Sequence, residues 1–332
     1  MLKIQAENII INTGTKPYVP RLPGLEESQR VYDSTTLMQL KHLPRHLIVI
    51  GSGYVGLEFA SIYRAFGAEV TVLEQNGTFL AAQDRDIADA VYQTMQHQGI
   101  VFHFHAKVRQ IQDEADRTFV EYTNEQGQTH RLAGDAVLVA VGRAAVTDEL
   151  NLEKADVETN ERGFVKVDEY LRTTIPHIWA IGDVNGGPQF TYISLDDFRI
   201  VRDQLYGKNQ RSTHTRQHVP YSIFITPTLS HVGLSEEEAI HQGYEIKVGK
   251  LPAAASTRAQ MMQEPTGLLK AIVDARTNKI LGCTLYSAES NEVINTVAIS
   301  MHADMGYQVL RDNIFTHPSV SEILNDLFGL IS

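Results

Sequence analysis

Gly51, Gly53 and Gly56 stand in the stretch GSGYVG, directly after the apolar run of residues 46–50. At G-x-G-x-x-G spacing each glycine has its own task beside a dinucleotide pyrophosphate. The first makes a tight turn, the second lets the backbone approach the phosphates, and the third packs a helix closely on a strand, with the helix N-terminus facing the anion. Taken alone the pattern is weak, because a plain strand-to-helix turn also satisfies it. Here a strand precedes it, helical periodicity follows to about Phe66 with a stop at Gly67, and a second strand, EVTVLE, ends on Glu74. A carboxylate about 20 residues after the glycines can accept both ribose hydroxyls of an adenosine and repels a 2′-phosphate. The next residues, QNGTFLAAQD, hold no Lys or Arg to offset that repulsion. NADH is therefore expected in preference to NADPH.

Near the other end, THPSVSE places His317 five positions before Glu322. The pair looks like a base and the carboxylate that orients it, an arrangement that usually serves a nucleophile or a thiol. A plainer reading exists, since Ser319 to Glu322 also fits the S-x-x-E capping box and could simply tie down the first turn of a helix. The one cysteine, Cys283, lies in ILGCTLY among apolar residues and reads as a small buried hydrophobe. His103 and His105 alternate along a strand-like run and would share a face, but two imidazoles without a third ligand assign no metal.

The elements that must position these groups suit a chain of 332 residues with two or three domains. After the βαβ start, residues 99–143 alternate strand-like runs with polar turns, a meander leading to a buried strand. HIWAIGDV is a short strand ending in Gly182 and Asp183, and a helix follows over TYISLDDFRIVRDQLYG. Residues 207–218 read as a linker. Beyond it come a strand at 221–225, a helix from Ser235, a hairpin turning at 276–278, and two helices near 289–305 and 319–328. Forty acidic against 29 basic residues, a formal charge of −11, and no basic block make nucleic acid an unexpected partner. No apolar run reaches the ~20 residues of a membrane span, and the first residues lack the pattern of a signal peptide, so no membrane partner and a cytoplasmic location are expected.

INTGTKPYVPRLPG, GSGYVGLEFA, VAVGRAAVTD, HIWAIGDV and THPSVSE, in that order along essentially the whole chain, resemble the signature blocks of the flavin-dependent pyridine nucleotide-disulfide oxidoreductases. That family includes dihydrolipoamide dehydrogenase, glutathione reductase and mercuric reductase, and the nearest likeness within it is to the reactive-chlorine-resistance reductases. The resemblance implies an α/β fold: a Rossmann-like NAD(H) domain at 41–148, inserted in a partial FAD domain at 1–40 and 149–212, then an α+β dimerisation domain at 213–332. It also implies roles. Asp183 would accept hydrogen bonds from the ribityl chain of FAD, Tyr54 would cover the flavin face as a gate, and Gly142 and Arg143 would line the nicotinamide side. Gly14 and Gly182 would join the cofactor-binding positions, and Glu58 would point toward the flavin and pair with a lysine. Without the resemblance, Asp183 could cap the following helix, Tyr54 could be a buried aromatic, and Glu58 would be assigned to solvent. His317 and Glu322 would act at the subunit interface of a homodimer on a redox thiol of the partner.

The chain departs from that pattern in one respect. The family's first G-x-G-x-x-G and its C-x-x-x-x-C pair do not occur in it. Met1 is therefore expected to be an internal start, a truncation or a deliberate shortening, FAD binding to be weak or absent, and disulfide reduction by these residues alone to fail. The complete protein is expected to pass a hydride from NADH to flavin and on through a dithiol to a small-molecule redox acceptor. Two other readings stand beside it, a non-catalytic nucleotide-binding and dimerisation fragment, and a flavin-dependent oxidase or peroxidase.

Overall fold

The computed structural model describes residues 4–331. They form two compact units, one built from the described residues up to Val19 with Gly142–Gln217, the other from Pro20–Val141 with the residues from His218 onward.

In the second unit a five-stranded, wholly parallel sheet is made by β1 (Val31–Tyr32), β2 (His46–Ile50), β3 (Glu69–Leu73), β4 (Ile100–His103) and β5 (Ala136–Val139), in the order β1-β5-β2-β3-β4. The continuous apolar character of β2 has a simple cause: both its faces are covered. Leu47 and Val49 pack toward α1 (Tyr54–Ala65) and α2 (Arg85–His97), with Leu57, Ala60, Val91 and Met95 in the same cluster. Ile48 and Ile50 point the other way, against Ile111, Val120 and Tyr122 of a three-stranded antiparallel sheet formed by Lys107–Glu114, Arg117–Thr123 and Thr129–Gly134. Alternation of side chains along a strand makes this two-sided packing possible. The meander and the buried strand that follows it are thus present. His105 is not on that strand: β4 ends at His103, and His105 turns into the left-handed region at φ 52, so the shared face expected for the two histidines does not form.

The same unit contains a five-stranded antiparallel sheet of β6 (Tyr221–Ile223), β7 (Leu229–Gly233), β8 (Ile246–Pro252), β9 (Leu268–Asp274) and β10 (Ile280–Tyr286), ordered β6-β7-β10-β9-β8. One face is sealed by α3 (Ser290–His302) and α4 (Ile323–Gly329), whose Val293, Val297, Leu324 and Phe328 meet Leu269, Ala271, Cys283 and Leu285. A short helix, Gln308–Asp312, lies between them and was not expected from sequence. On the opposite face of β9 stands Lys270, only 2% exposed, with its ammonium 2.9 Å from Asp84, 3.1 Å from Asp86 and 2.6 Å from Glu236. Asp84 and Asp86 sit at the start of α2, so this buried cation joins the antiparallel sheet to the parallel one.

In the first unit, Ile9–Ile11 pairs in parallel with Ile178–Ala180, and Thr15–Pro17 pairs antiparallel with Arg143–Ala145. Ile11, Ala145, Phe164, Val165 and Ile178 form one core, and Trp179, Ile181, Ile200 and Val201 form another beneath the helix Thr191–Tyr206. The expected α/β architecture with parallel and antiparallel sheets is what the structure shows. No described helix is long and apolar enough to cross a membrane.

Burial opposes protonation of Lys270, but the carboxylates of Glu236 and Asp84 outweigh it and raise its pKa. The charge cluster therefore contributes stability at neutral pH and loses it only as pH climbs through that raised value. Removing one partner of a buried ion pair strands the others, so Lys270→Ala should cost about 3–5 kcal/mol in urea denaturation. Lys250, half-exposed beside Asp86, is the control, and Lys250→Ala should stay within about 1 kcal/mol.

Candidate functional site

The strand β2 delivers the glycine turn. Gly51 adopts φ +101, and a Cβ there would meet the Ala140 carbonyl oxygen at 2.6 Å; a Cβ on Gly56 would lie 2.1 Å from the Gly51 carbonyl oxygen. Only glycine lets α1 come down this close on the strand. Gly53 differs, since a Cβ built on it meets nothing within 4 Å. Gly53 is the N-cap of the 12-residue α1, and no side chain caps that end. The backbone donors of the first turn therefore have no side-chain cap, as a pyrophosphate would require.

Glu74 is fixed on the next strand's C-terminal end. One carboxylate oxygen accepts from the Ser52 amide at 2.9 Å and the Ser52 hydroxyl at 2.7 Å, and the other accepts from the Asn76 amide at 2.7 Å. Burial works against ionisation, but the bonds from Asn76 and Ser52 outweigh it and hold the pKa below the ordinary carboxylate value. Glu74 is thus a buried anion at neutral pH, able to accept hydrogen bonds from hydroxyl groups. The glycines and Glu74 together fit an NAD(H) cofactor.

Tyr54, at the first turn of α1, stacks on Tyr221 of β6 with ring centroids 5.7 Å apart and an interplanar angle of 16°. The Gln83 amide donates to the Tyr221 hydroxyl, and His231 approaches the Tyr221 ring at 5.4 Å. One turn further on, Glu58 is half-buried and accepts from the Phe224 amide at 2.8 Å. Burial raises its pKa, opposed only by that one bond. The solvent assignment for Glu58 is therefore wrong, and among the described residues no lysine pairs with it.

In the first unit, Arg143 donates to the Thr15 hydroxyl at 2.6 Å and to the Thr15 carbonyl at 2.8 Å, and the Thr15 hydroxyl donates to Asp183 at 2.8 Å. The alternative in which Asp183 caps the following helix is not formed, because Phe190 is the N-cap there. The turn that carries Asp183 is held by Asp197, 1% exposed, which accepts from the Gly182 amide at 2.8 Å and is paired with Arg216. Gly14 and Gly142 both have positive φ and open space where a Cβ would be. Thr15 and Asp197 were missed from sequence, although Thr15 lies inside the first signature block.

His317 Nδ1 lies 2.8 Å from a Glu322 oxygen, with the His317 side chain 69% and the Glu322 side chain 23% exposed. The other Glu322 oxygen accepts from the Ser319 amide at 3.4 Å, and the Glu322 amide donates to the Ser319 hydroxyl at 3.3 Å. One oxygen of the carboxylate thus meets His317 and the other closes the Ser319 turn just before α4, whose N-terminus carries no side-chain cap. Cys283 is fully buried in β10, and burial pushes its thiol up, so it is no partner for His317.

Residues 2–197 match the family of pyridine nucleotide-disulphide oxidoreductases, and residues 219–328 match the dimerisation domain of the same enzymes. The chain belongs to this family, class I. Among the oxidoreductases most similar to it, the probable pyridine nucleotide-disulfide oxidoreductase RclA of Escherichia coli (strain K12) is 49% identical over 330 residues, which is 99% of this chain and 74% of that protein. Mercuric reductase of Staphylococcus aureus is 33% identical over 319 residues, 96% of this chain and 58% of that protein. The solved structure of the HOCl-induced flavoprotein disulfide reductase RclA from Escherichia coli matches with a TM-score of 0.96 at 49% identity, covering 100% of this chain and 75% of that one. Pyridine nucleotide-disulfide oxidoreductases are FAD- and NAD(P)H-dependent.

The glycines separate folding from binding. Gly53→Ala should leave urea stability within about 1 kcal/mol, because its Cβ meets nothing, yet weaken NADH binding at least about ten-fold by blocking approach to the phosphates. Gly56→Ala should lower stability itself by about 1–3 kcal/mol, because α1 must move off the strand. Fluorescence titration with NADH beside urea denaturation reads both.

Proposed function

We propose that these residues supply the NADH site, part of the FAD site and the acceptor-side dyad of a homodimeric flavoprotein reductase. The observation that carries the reading is Glu74, held ionised by Ser52 and Asn76 beside an uncapped helix start. When NADH and FAD are both bound, the chemistry supplied is transfer of a hydride between them and of two electrons onward, so that NADH and one proton reduce a disulfide or a related small acceptor. The chain's own residues bind and orient. Gly51, Gly53 and Gly56 would cradle the pyrophosphate of NADH, and Glu74 would take the ribose hydroxyls. Tyr54, backed by Tyr221, would cover the flavin face where nicotinamide enters, with Glu58 below it. Asp183, Gly182 and Gly14 would contribute to FAD, and Gly142 and Arg143 to the nicotinamide side.

His317, oriented by Glu322 through Nδ1, would hold or release a proton at Nε2 for a thiol of the partner subunit. Such a role needs a dimer, and the dimerisation domain supports one. The 332 residues contain one cysteine, and it is buried. They are accordingly expected not to reduce a disulfide by themselves, and a redox dithiol would have to be provided for His317 to serve.

Two outcomes test this reading. Titration should show NADH binding at least about ten-fold tighter than NADPH, from like-charge repulsion at Glu74, and Glu74→Gln should narrow the gap. Tighter binding of NADPH would overturn the assignment of Glu74. Sedimentation should give a dimer at micromolar concentration, and a monomer there would remove the inter-subunit role of His317.

A further inference from the structure

The dinucleotide residues lie beyond the C-terminal ends of β2 and β3, while a cavity of about 390 Å³ opens at the other end of the same sheet, lined among others by Arg30, Arg45, Arg117, Tyr32, Asp116 and Asp135. Arg45 immediately precedes β2 and Gly51 immediately follows it, so the two places are about 20 Å apart along the strand. They are separate sites.

None of the three arginine side chains has a protein hydrogen-bond or ion-pair partner among the described residues, in a chain whose net charge is −11. Meanwhile the backbone that carries the cavity is fixed. The Arg30 carbonyl accepts from the Val137 amide at 2.9 Å, and the Arg45 carbonyl accepts from the Glu69 amide at 2.7 Å. Asp135 exchanges bonds with His46, donating from its amide at 2.9 Å and accepting at its carboxylate at 2.9 Å. Arg30 is half-buried and Arg45 and Arg117 are exposed, and three guanidiniums without a protein partner around one cavity are suited to a phosphate group, which guanidinium recognises through paired N–H donors.

The two carboxylates narrow the choice. A bare anion gains from the arginines but meets Asp116 and Asp135, whereas a ligand that also carries hydroxyls can donate to them. The volume is far larger than one phosphate, and the Tyr32 ring gives part of the wall. We propose that this cavity binds a small phosphorylated, hydroxyl-bearing metabolite of the sugar-phosphate or nucleotide class, independently of the dinucleotide site.

Calorimetric titration of the full chain with ribose 5-phosphate, inorganic phosphate and ribose tests the assignment, with each titration repeated after saturation with NADH. Ribose 5-phosphate should bind saturably with or without NADH, and more tightly than either of its two parts. The triple variant Arg30→Gln, Arg45→Gln, Arg117→Gln should weaken it at least about ten-fold while leaving NADH affinity unchanged. The single Arg117→Gln, on an exposed hairpin of the antiparallel sheet, should weaken it by a smaller factor and serves if the triple variant does not fold. Asp116→Asn should reduce the advantage of ribose 5-phosphate over inorganic phosphate. Absence of saturable binding, affinity unchanged by Arg117→Gln, inorganic phosphate binding as tightly as ribose 5-phosphate, or displacement by NADH would each overturn it.

Discussion

The distance between the Gly51 carbonyl and the start of α1 governs the nucleotide side of this protein. A single Cβ at Gly56 would sit 2.1 Å from that oxygen, inside any permitted contact. Because the position is glycine, the helix closes on the strand, its N-terminus at Gly53 is left without a side-chain cap, and Ser52 is brought to Glu74. The pairing of β2 with β3, Ile50 opposite Leu73, completes the arrangement through the bond from the Gly51 amide to the Leu73 carbonyl. Glu74 then stays charged despite burial because three donors converge on it. Loosening the turn would release Ser52 and with it one side of the carboxylate.

The aromatic and acidic groups on α1 are held by β6 and the segment that follows it rather than by their own neighbours in sequence. Tyr54 leans on Tyr221, Glu58 takes the Phe224 amide, and Ser61 accepts from the Thr226 amide at 3.2 Å. The start of α2 is fixed to the same sheet through Lys270. Compared with apolar residues of similar volume, a buried cation among three carboxylates gains little, but removing one partner carries a large penalty. That asymmetry gives the contact between the two sheets a defined register.

Much of this was legible because it is local or periodic. The glycine spacing, the strand before it and the acid at the end of the next strand read directly into the turn, β2 and Glu74. The burial of Cys283 followed from its apolar flanks. Where the sequence misled, the deciding partner was distant or conformational. Nothing in FHFHA announces that His105 turns to positive φ and leaves the strand. LLKAIVD shows a lysine among apolar residues, yet its partners Asp84 and Asp86 lie more than 180 positions away. Glu58 looked solvent-facing because the amide that binds it belongs to Phe224. For Glu322 two readings competed on the sequence: the bond to His317 forms, while the Ser319 bonds close the turn before α4 rather than cap its first turn.

The position of the adenosine ribose of NADH decides the role of Glu74 most directly. A crystal structure of the chain with NADH bound should place both ribose hydroxyls within hydrogen-bonding distance of the Glu74 carboxylate and the pyrophosphate against the amides at Gly53 and Tyr54. Adenosine density away from Glu74, or a pyrophosphate away from the start of α1, would contradict it.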